Sequence, residues 1–275
     1  MIDKYNTRLL SICSSFRRPE ILKGMLNSFD KTKSIGTEIF IYLHDDDPFL
    51  EQYKDVVAGR NYEIGIHRNL QQAINYVVFD LFPEIQYYQT VNDDFIYHTI
   101  GWDTILSSAL EENAGGYGFS CGRHSVVEDW KRCKHPSAEV YSWKFVNAMG
   151  YVYPKNMEHA CLDHFTKDIS IMINGLVFVE SVIIEHLWYG GCNKQKDINT
   201  IELYNDDVFS KAKLQYEFWR DNEKVHAFVR IAKAKGIKIN DKYINRLPKD
   251  FGPKHPDWNI PSKRNTYLLA YGLPL

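Results

Sequence analysis

The sequence predicts an α/β domain in which helices flank a mostly parallel sheet. Strand-like and helix-like segments alternate through the first 100 residues, which is the pattern of parallel strands joined by helical crossovers. A polar cluster follows each of the three predicted strands, and ligands of such open sheets collect beyond the carboxyl ends of the strands. This end of the sheet is therefore the predicted site.

The first two predicted strands enclose one helix. Arg8 to Cys13 has the apolar character of a buried strand, and Glu38 to Leu43 has that of a second one. Between them, Pro19 to Phe29 predicts a helix, because proline is favoured in the first helical turn.

The next helix and strand continue this alternation. Asn69 to Phe82 predicts an amphipathic helix, and Ile85 to Val91 predicts a third strand that runs directly into Asn92-Asp93-Asp94. The apolar face of the helix consists of Leu70, Ala73, Ile74, Val77, Val78 and Leu81.

The remaining residues have weaker patterns. Residues 111–150 predict loops and short strands that cover a site, and residues 169–184 predict apolar stretches that end in a strand delivering His186. Residues 206–237 predict helix, and the proline-rich segment after Lys249 predicts an extended surface tail. We expect a main domain over residues 1–205 and a helical, basic C-terminal extension over residues 206–275.

Composition excludes several classes of protein. The chain has 275 residues, of which 44% are hydrophobic and 25% charged, so it is neither disordered nor collagen-like nor a coiled coil. The longest apolar run, Ile169 to Val179, is shorter than the ~20 residues of a membrane helix. The N-terminal apolar stretch is too short for a secretory signal, so we expect no transmembrane segment and a cytoplasmic location. The five cysteines include no C-x-x-C pair, which argues against a disulfide framework and a structural zinc site.

The formal charge of −2 is unevenly distributed along the chain. Residues 1–210 hold 19 Lys or Arg and 29 Asp or Glu, a balance of −10, whereas residues 211–275 hold 14 and 6, a balance of +8. A basic tail suits a polyanion such as DNA, lipid phosphate or a pyrophosphate, although a solvated helix face explains it equally well.

The cluster Asn92-Asp93-Asp94 carries the sharpest chemical signal. Adjacent carboxylates repel each other unless a cation or hydrogen bonds neutralise them, and oxygen ligands suit Mg²⁺ or Mn²⁺. A divalent ion held there can bridge the pyrophosphate of a nucleotide. The competing interpretation is a turn whose aspartates cap a helix.

Two further clusters follow the first and second strands. Ser14-Ser15-Phe16-Arg17-Arg18 brings cations to a helix start, where phosphate oxygens meet guanidinium and free backbone N–H groups, and Arg68 precedes the next helix in the same way. The run Asp45-Asp46-Asp47 suits ribose hydroxyls. Surface arginines and an acidic loop before Pro48 are the structural alternatives.

Asp163 and His186 are weaker candidates. His186 is a metal ligand or a structural histidine at a strand end, and Asp163, between His159 and His164, belongs to a zinc-like cluster, acts as a catalytic carboxylate or caps a helix. The sequence has no P-loop, H-E-x-x-H, G-x-G-x-x-G or G-x-S-x-G motif, which removes several common enzyme classes.

Five segments, taken in order, resemble the GT-A glycosyltransferases and especially their family-2-like group. They span residues 8–190 and read SICSSFRRPEILKGMLNSF, EIFIYLHDDD, QYYQTVNDDFIYHTIGWD, MEHACLDHF and VIIEH. The resemblance implies a GT-A, Rossmann-like fold and a requirement for Mn²⁺ or Mg²⁺.

The resemblance also implies a role for each candidate residue. Nucleotide-binding positions correspond to Ser14, Ser15, Arg17, Asp45 or Asp46, and we add Arg68 to the donor-binding set. Asn92 replaces the first aspartate of the family's D-x-D motif, so Asp94 is the expected metal ligand and Asp93 an accessory one, with His186 completing the metal shell. Gly101-Trp102-Asp103 corresponds to the lining of the sugar pocket, which makes Trp102 and Asp103 candidates, and Asp163 corresponds to the base of an inverting enzyme.

These observations predict a hexosyltransferase that moves a sugar from a nucleotide-diphosphate sugar, with UDP- or GDP-sugars expected first, to an acceptor hydroxyl. The basic tail favours a hydroxymethylated base in DNA, as in transferases that modify phage DNA, and lipopolysaccharide or another glycan is the rival acceptor. A nucleotidyltransferase is the alternative reaction, although SSFRRPE lacks its usual Gly-rich loop. A non-catalytic sugar-binding module does not need two acidic clusters at neighbouring strand ends.

Overall fold

The computed structural model describes residues 2–66, 68–124, 138–154, 157, 162–187, 214–219 and 223–236. Within these ranges the chain forms three layers, with a sheet of eight strands between two groups of helices. The predicted domain boundary at residues 205 and 206 and the predicted tail after Lys249 lie outside the described residues.

The strands are short except for the last. They are β1 (Leu9–Ser15), β2 (Thr37–His44), β3 (Asn61–Gly65), β4 (Tyr87–Val91), β5 (Phe95–Tyr97), β6 (Phe119–Arg123), β7 (Val140–Ser142) and β8 (Leu176–His186). Their order across the sheet is β3-β2-β1-β4-β7-β6-β8-β5. The first four are parallel neighbours, β7 is antiparallel to both β4 and β6, β6 is parallel to β8, and β5 is antiparallel to β8. The sheet is therefore mixed, and its parallel half is the one that the sequence predicts.

The helices connect and cover these strands. They are α1 (Pro19–Thr32), α2 (Leu50–Val56), α3 (Leu70–Tyr76), α4 (Trp102–Ala114), α5 (Trp143–Met149), α6 (Leu162–Met172) and α7 (Lys224–Ala234). A π-helical turn, Val77–Leu81, continues α3, so the single helix predicted over residues 69–82 changes its hydrogen bonding halfway. Residues 214–219 are also helical. None of the helices in the described ranges has the length and apolar character needed to cross a lipid bilayer.

The two faces of the sheet bury separate apolar clusters, because successive side chains of a strand point to opposite faces. Leu9 and Leu10 show this alternation at the start of β1. Leu9 packs with α1 and α4 through residues such as Leu22, Leu26, Phe29, Leu106 and Leu110. Leu10 lies in the other cluster, which includes residues of α3, α5, α6 and α7 such as Ile74, Phe145, Phe165 and Phe228.

This topology brings three polar turns to one edge. The carboxyl ends of β1, β2 and β4 meet there because the three strands are parallel and adjacent. The end of β8 supplies His186 to the same region, as the contacts below show.

Candidate active site

The acidic turn Asn92-Asp93-Asp94 links β4 directly to β5. Because β5 pairs antiparallel with the end of β8, Phe95 lies opposite His186, and the backbone N–H of Leu187 donates to the carbonyl of Asp94 at 3.0 Å. This register places His186 Nε2 3.2 Å from Asp94 Oδ1. Two predicted metal ligands that are 92 positions apart in sequence are thus neighbours.

The carboxylate of Asp93 is buried and hydrogen-bonded. It accepts a hydrogen bond from Ser15 Oγ at 2.7 Å and from Arg18 Nη1 at 3.2 Å, and the residue is 6% exposed. Burial raises the pKa of Asp93 to about 6, and the charge of Asp94 adds to this, whereas Arg18 and Ser15 oppose it. Asp93 therefore fixes the β1 loop to the end of β4.

Asp94 has the opposite electrostatic character. Burial raises its pKa, but the neighbouring His186 and the charge of Arg18 outweigh burial, so that the pKa lies below the usual value of an aspartate. Its Oδ2 lies 4.0 Å from Arg18 Nη1. An ionised carboxylate at a strand end, next to an imidazole, is a donor set that a divalent cation can use.

The contacts of His186 also fit a metal ligand. Its Nε2 lies 3.2 Å from Asp94 Oδ1 and 3.3 Å from Asn92 Nδ2. Asp94 Oδ1 is buried and has no partner with hydrogen-bond geometry among the described residues. This carboxylate oxygen beside Nε2 therefore fits the ligand set of a divalent cation. Among the described residues no cluster of three His, Cys, Asp or Glu side chains forms a complete metal site, so other ligands must come from elsewhere.

The loop after β1 is held in a strained conformation. Arg17 has φ +61°, a left-handed value that is uncommon outside glycine, and its N–H donates to Asp47 Oδ2 at 2.6 Å. The next N–H, that of Arg18, donates to the hydroxyl of Tyr53 at 2.8 Å, and this hydroxyl also lies 2.7 Å from Ser15 Oγ. Asp47 and Tyr53 therefore set the shape of the loop in which Arg17 and Arg18 lie.

A second group of side chains lies at the ends of β2 and β3. Arg68 N donates to His44 Nδ1 at 3.3 Å, so neutral His44 carries its proton on Nε2 and donates to Ser14 Oγ at 3.1 Å. The guanidinium of Arg68 lies 4.3 Å from the ring centre of Tyr76, and its Nε donates to the hydroxyl of Tyr42 at 2.9 Å.

Three neighbours complete this corner of the site. Gly65 leaves room for Tyr42, because a Cβ at residue 65 would lie 2.4 Å from the Tyr42 hydroxyl oxygen. Asp45 and Asp46 follow β2 and are exposed, as a role in ligand binding requires. The predicted nucleotide-binding residues therefore lie at the ends of adjacent strands.

Asp163 lies in the first turn of α6 and is half-buried. Its charge acts on Glu139, a buried carboxyl at the start of β7, and on Tyr153. Both of these residues connect to Thr90, which precedes the acidic turn by two residues: Thr90 Oγ1 donates to Glu139 Oε2 at 2.9 Å and accepts from the Tyr153 hydroxyl at 3.1 Å.

Trp102 and Asp103 correct the prediction that they line the sugar pocket. Both side chains are fully buried, and Asp103 accepts hydrogen bonds from Thr37 Oγ1 and from the N–H and Oγ of Ser34, at 3.1 and 2.8 Å for Ser34. Its Oδ2 also lies 3.5 Å from Arg8 Nη2. Arg8 directly precedes β1 and Thr37 begins β2. Asp103 therefore lies at the amino ends of these parallel strands, whereas the acidic turn lies at the carboxyl end of β4.

Trp102 packs within the same core. Its ring lies 4.8 Å from that of Tyr97 and 5.8 Å from that of Phe29, measured between ring centres. A side chain without exposed surface cannot contact a bound sugar. The segment Gly101-Trp102-Asp103 anchors the start of α4 instead.

Three residues of this site were not singled out by the sequence: Tyr53, Glu139 and Tyr153. Each acts through a partner that is at least 30 positions away in sequence, such as Ser15 for Tyr53 and Thr90 for Glu139. Asp47 belonged to a recognised acidic run, but its role as the buried acceptor for the Arg17 N–H depends on the fold.

Comparison with known proteins shows similarity at the level of structure. No protein-family model and no curated protein sequence matches the chain. Residues 1–349 of S. aureus TarS, in complex with UDP-GlcNAc, align with a TM-score of 0.53 and 11% identity over 83% of this chain and 72% of that one. The chain spans 43% of the length of a longer S. aureus TarS structure, with a TM-score of 0.51.

Two further glycosyltransferases align similarly. Mannosyltransferase PcManGT from Pyrobaculum calidifontis, in complex with GDP-Man and Mn²⁺, has a TM-score of 0.52 and 10% identity over 95% of this chain and 80% of its own. Glucosyl-3-phosphoglycerate synthase from Mycobacterium tuberculosis, with Mn²⁺, UDP and phosphoglyceric acid, has a TM-score of 0.51 and 9% identity over 78% and 79%. The expectation of a GT-A-type fold is confirmed.

Proposed function

We propose that the chain is a metal-dependent glycosyltransferase that moves a hexosyl group from a nucleotide-diphosphate sugar to an acceptor hydroxyl. The observation that carries this proposal is the Asp94–His186 pair, with the two groups 3.2 Å apart beside Arg18 at the carboxyl edge of a GT-A-type sheet. Similarly folded proteins that bind nucleotide sugars support it. Because these proteins are glycosyltransferases, the fold favours sugar transfer over nucleotidyl transfer.

The nucleotide is assigned to the ends of β1 and β2. Ser14 and Arg68 share His44, and the guanidinium of Arg68 lies over the ring of Tyr76, so this corner offers hydrogen-bonding and aromatic groups together. The exposed carboxylates of Asp45 and Asp46 are placed to accept hydrogen bonds from ribose hydroxyls. Ser15 acts indirectly, because its hydroxyl holds Asp93.

The diphosphate is assigned to the acidic turn and the loop after β1. Asp94 and His186 would hold Mn²⁺ or Mg²⁺, which when bound stabilises the negative charge of the departing diphosphate. Arg18 forms an ion pair with Asp93 at 3.2 Å, and Arg17 lies in the same strained loop. These arginines are assigned to the phosphate oxygens.

Asp163 is assigned as the base. As the acceptor oxygen attacks the anomeric carbon, its proton passes to the Asp163 carboxylate and the bond between that carbon and the diphosphate oxygen breaks. Attack from the face opposite the diphosphate gives inversion. Asp163 is half-buried in the first turn of α6.

The donor and acceptor are proposed from different observations. UDP- and GDP-sugars are the first donors to test, since proteins of this fold have been solved with UDP-GlcNAc and with GDP-Man. For the acceptor, the +8 charge of residues 211–275 favours a DNA base bearing a hydroxymethyl group over an uncharged glycan.

The test is release of nucleoside diphosphate from a panel of UDP-, GDP- and dTDP-sugars with Mn²⁺, with hydroxymethylated duplex DNA or a lipopolysaccharide glycan as acceptor. We expect one donor class to support release that stops when the metal is chelated. Release of sugar 1-phosphate, the part of the donor that remains when the nucleotidyl group is transferred to the acceptor, would indicate nucleotidyl transfer and overturn the proposal. Lack of binding to duplex DNA at low salt would exclude the DNA acceptor alone.

A further inference from the structure

The hydroxyl of Tyr53 joins the loop after β1 to the acidic turn through hydrogen bonds. Tyr53 lies on α2 and is fully buried, and its hydroxyl oxygen accepts the backbone N–H of Arg18 at 2.8 Å. The same oxygen lies 2.7 Å from Ser15 Oγ, which in turn donates to Asp93 Oδ2 at 2.7 Å. Arg18 Nη1 donates to Asp93 Oδ1 at 3.2 Å and so closes the circuit. We call these four residues the Tyr53 network.

The direction of each hydrogen bond in the Tyr53 network follows from the groups that form it. An ionised aspartate only accepts hydrogen bonds, so the single proton of the Ser15 hydroxyl is directed to Asp93. Ser15 Oγ then accepts from the Tyr53 hydroxyl, whose oxygen accepts the Arg18 N–H. Burial raises the pKa of Tyr53, so its hydroxyl keeps the proton that this arrangement needs. Removal of the Tyr53 hydroxyl therefore breaks the link between the loop and the acidic turn at two bonds.

The segment that carries Tyr53 also holds the preceding N–H group of the loop. Asp47, three residues before α2, accepts the N–H of Arg17 at 2.6 Å and that of Phe49 at 2.8 Å. Arg17 has φ +61°, a conformation that persists only where surrounding contacts impose it. Two successive backbone donors of the loop thus end on side chains of residues 47–53, which makes the shape of the loop depend on α2.

We propose that Tyr53 is a positioning residue that holds the loop of Arg17 and Arg18 in register with the acidic turn. The role rests on the proposed function, which assigns these arginines to the diphosphate and Asp94 to the metal ion. Asp94 follows Asp93 directly, and its Oδ2 lies 4.0 Å from Arg18 Nη1. The Tyr53 network therefore orders two groups that act on one diphosphate. Groups that are already ordered lose less conformational entropy on binding, so the Tyr53 hydroxyl favours metal-dependent binding of the nucleotide.

A purely structural role for Tyr53 predicts a different result, and Tyr88 provides the matched control. Tyr88 is 1% exposed, and its hydroxyl accepts the N–H of Ile85 at 2.9 Å and donates to the carbonyl of Phe82 at 2.6 Å. Both of these partners precede β4, whereas the acidic turn follows it. Tyr88→Phe therefore removes two buried hydrogen bonds, as Tyr53→Phe does, but none that involves the loop or the acidic turn.

The Tyr53 network can be tested without a ligand, by NMR measurement of amide hydrogen exchange in the full chain. In Tyr53→Phe the Arg18 N–H loses this acceptor, and its exchange should be about 3- to 10-fold faster than in Tyr88→Phe. The comparison with Tyr88→Phe corrects for any general loss of stability. Equal exchange of the Arg18 N–H in the two variants would overturn the proposal.

The positioning role is tested by calorimetry of UDP, GDP and dTDP binding with and without Mn²⁺, at a temperature where every variant is folded. Tyr53→Phe should weaken the metal-dependent binding about 10- to 100-fold, the usual effect of removing a residue that orients metal ligands, and Tyr88→Phe should bind like wild type. Ser15→Ala should cause a loss of its own. The double variant Tyr53→Phe/Ser15→Ala should lose no more than the weaker-binding single variant, because both substitutions interrupt the same network.

The outcomes separate this proposal from the proposed function. If wild type binds a nucleotide with Mn²⁺ and Tyr53→Phe binds it equally well, Tyr53 has only a structural role and the proposed function stands. Losses that add in the double variant would also overturn the positioning role, since Tyr53 and Ser15 would then act independently. If wild type binds none of the three nucleotides with Mn²⁺, the proposed function and the positioning role are both wrong, whatever the exchange of the Arg18 N–H shows.

Discussion

Replacement of Glu139 by glutamine should stabilise the fold, and by an amount that grows with pH. Burial raises the pKa of Glu139 from its ordinary value of 4.5 to about 8. The folded chain therefore binds this proton more tightly than the unfolded chain does, so the contribution of Glu139 to stability is fully present below pH 4.5 and is lost as the pH rises to 8. Glutamine has nearly the same shape, keeps an acceptor for Thr90 and does not titrate.

The size of this effect follows from the pKa difference. A shift of one pKa unit corresponds to about 1.4 kcal/mol, so the free energy of unfolding of Glu139→Gln should gain about 1.4 kcal/mol per pH unit on wild type between pH 5 and 8. The difference reaches about 4 kcal/mol at pH 8, where half of the folded chains are ionised at Glu139, and this is a large fraction of the stability of a typical domain.

The assay is urea unfolding followed by circular dichroism at pH 5, 6, 7 and 8 for wild type, Glu139→Gln and Glu180→Gln. The linear extrapolation gives the free energy of unfolding at each pH, provided that the slopes with urea agree between variants. Glu180→Gln should parallel wild type because Glu180 is exposed. If the curves of Glu139→Gln and wild type were also parallel with pH, Glu139 would be ionised in the folded chain, and the argument from its burial would fail.

Three other substitutions test the assignments at the sheet edges. Asp94→Ala should abolish the metal-dependent part of donor binding in calorimetry without unfolding the chain; unchanged metal dependence would remove Asp94 as a ligand. Asp163→Ala should keep donor affinity while kcat falls by about 10²- to 10⁴-fold, since a general base is lost; turnover at the wild-type level would show that another group is the base. Asp103→Ala should lower the free energy of unfolding by about 3 kcal/mol or more, because Arg8, Ser34 and Thr37 lose a buried acceptor. The donor affinity of Asp103→Ala should equal that of wild type. A selective loss of donor binding would instead show that Asp103 contributes to the sugar pocket.

The sequence predicts the strands and helices whose burial is continuous or strictly periodic. β1, β2 and β4 are predicted within two residues at each end, since they are buried runs between turn residues. The short elements α2 and β3 are missed, because seven and five residues are too few to show a period and both expose part of their surface. The antiparallel strand β7 enters the sheet between β4 and β6 through pairings between residues distant in sequence, which no local pattern reveals.

Some residues of the candidate site can also be predicted from local sequence patterns, whereas others are recognised only from contacts that the fold creates. The acidic turn and His186 are predicted from their places at strand ends, and the structure brings them together through the pairing of β5 with β8. The roles of Tyr53 and Glu139 depend on contacts with Ser15 and Thr90 across 38 and 49 positions, which only the fold creates. Gly101-Trp102-Asp103 is misassigned because a tryptophan and an aspartate at a helix start satisfy core packing as readily as they bind a sugar.

The most direct test of the central claim is a thermal-shift measurement of the full chain with UDP-, GDP-, CMP- and dTDP-sugars, each with and without Mn²⁺. A ligand that binds only the native state raises its apparent stability. We predict that sugars of one nucleotide class raise the unfolding temperature only when Mn²⁺ is present, and that Asp94→Ala removes this increase. If no nucleotide sugar shifts unfolding under either condition, or if Asp94→Ala responds like wild type, the acidic turn is not a metal-dependent donor site.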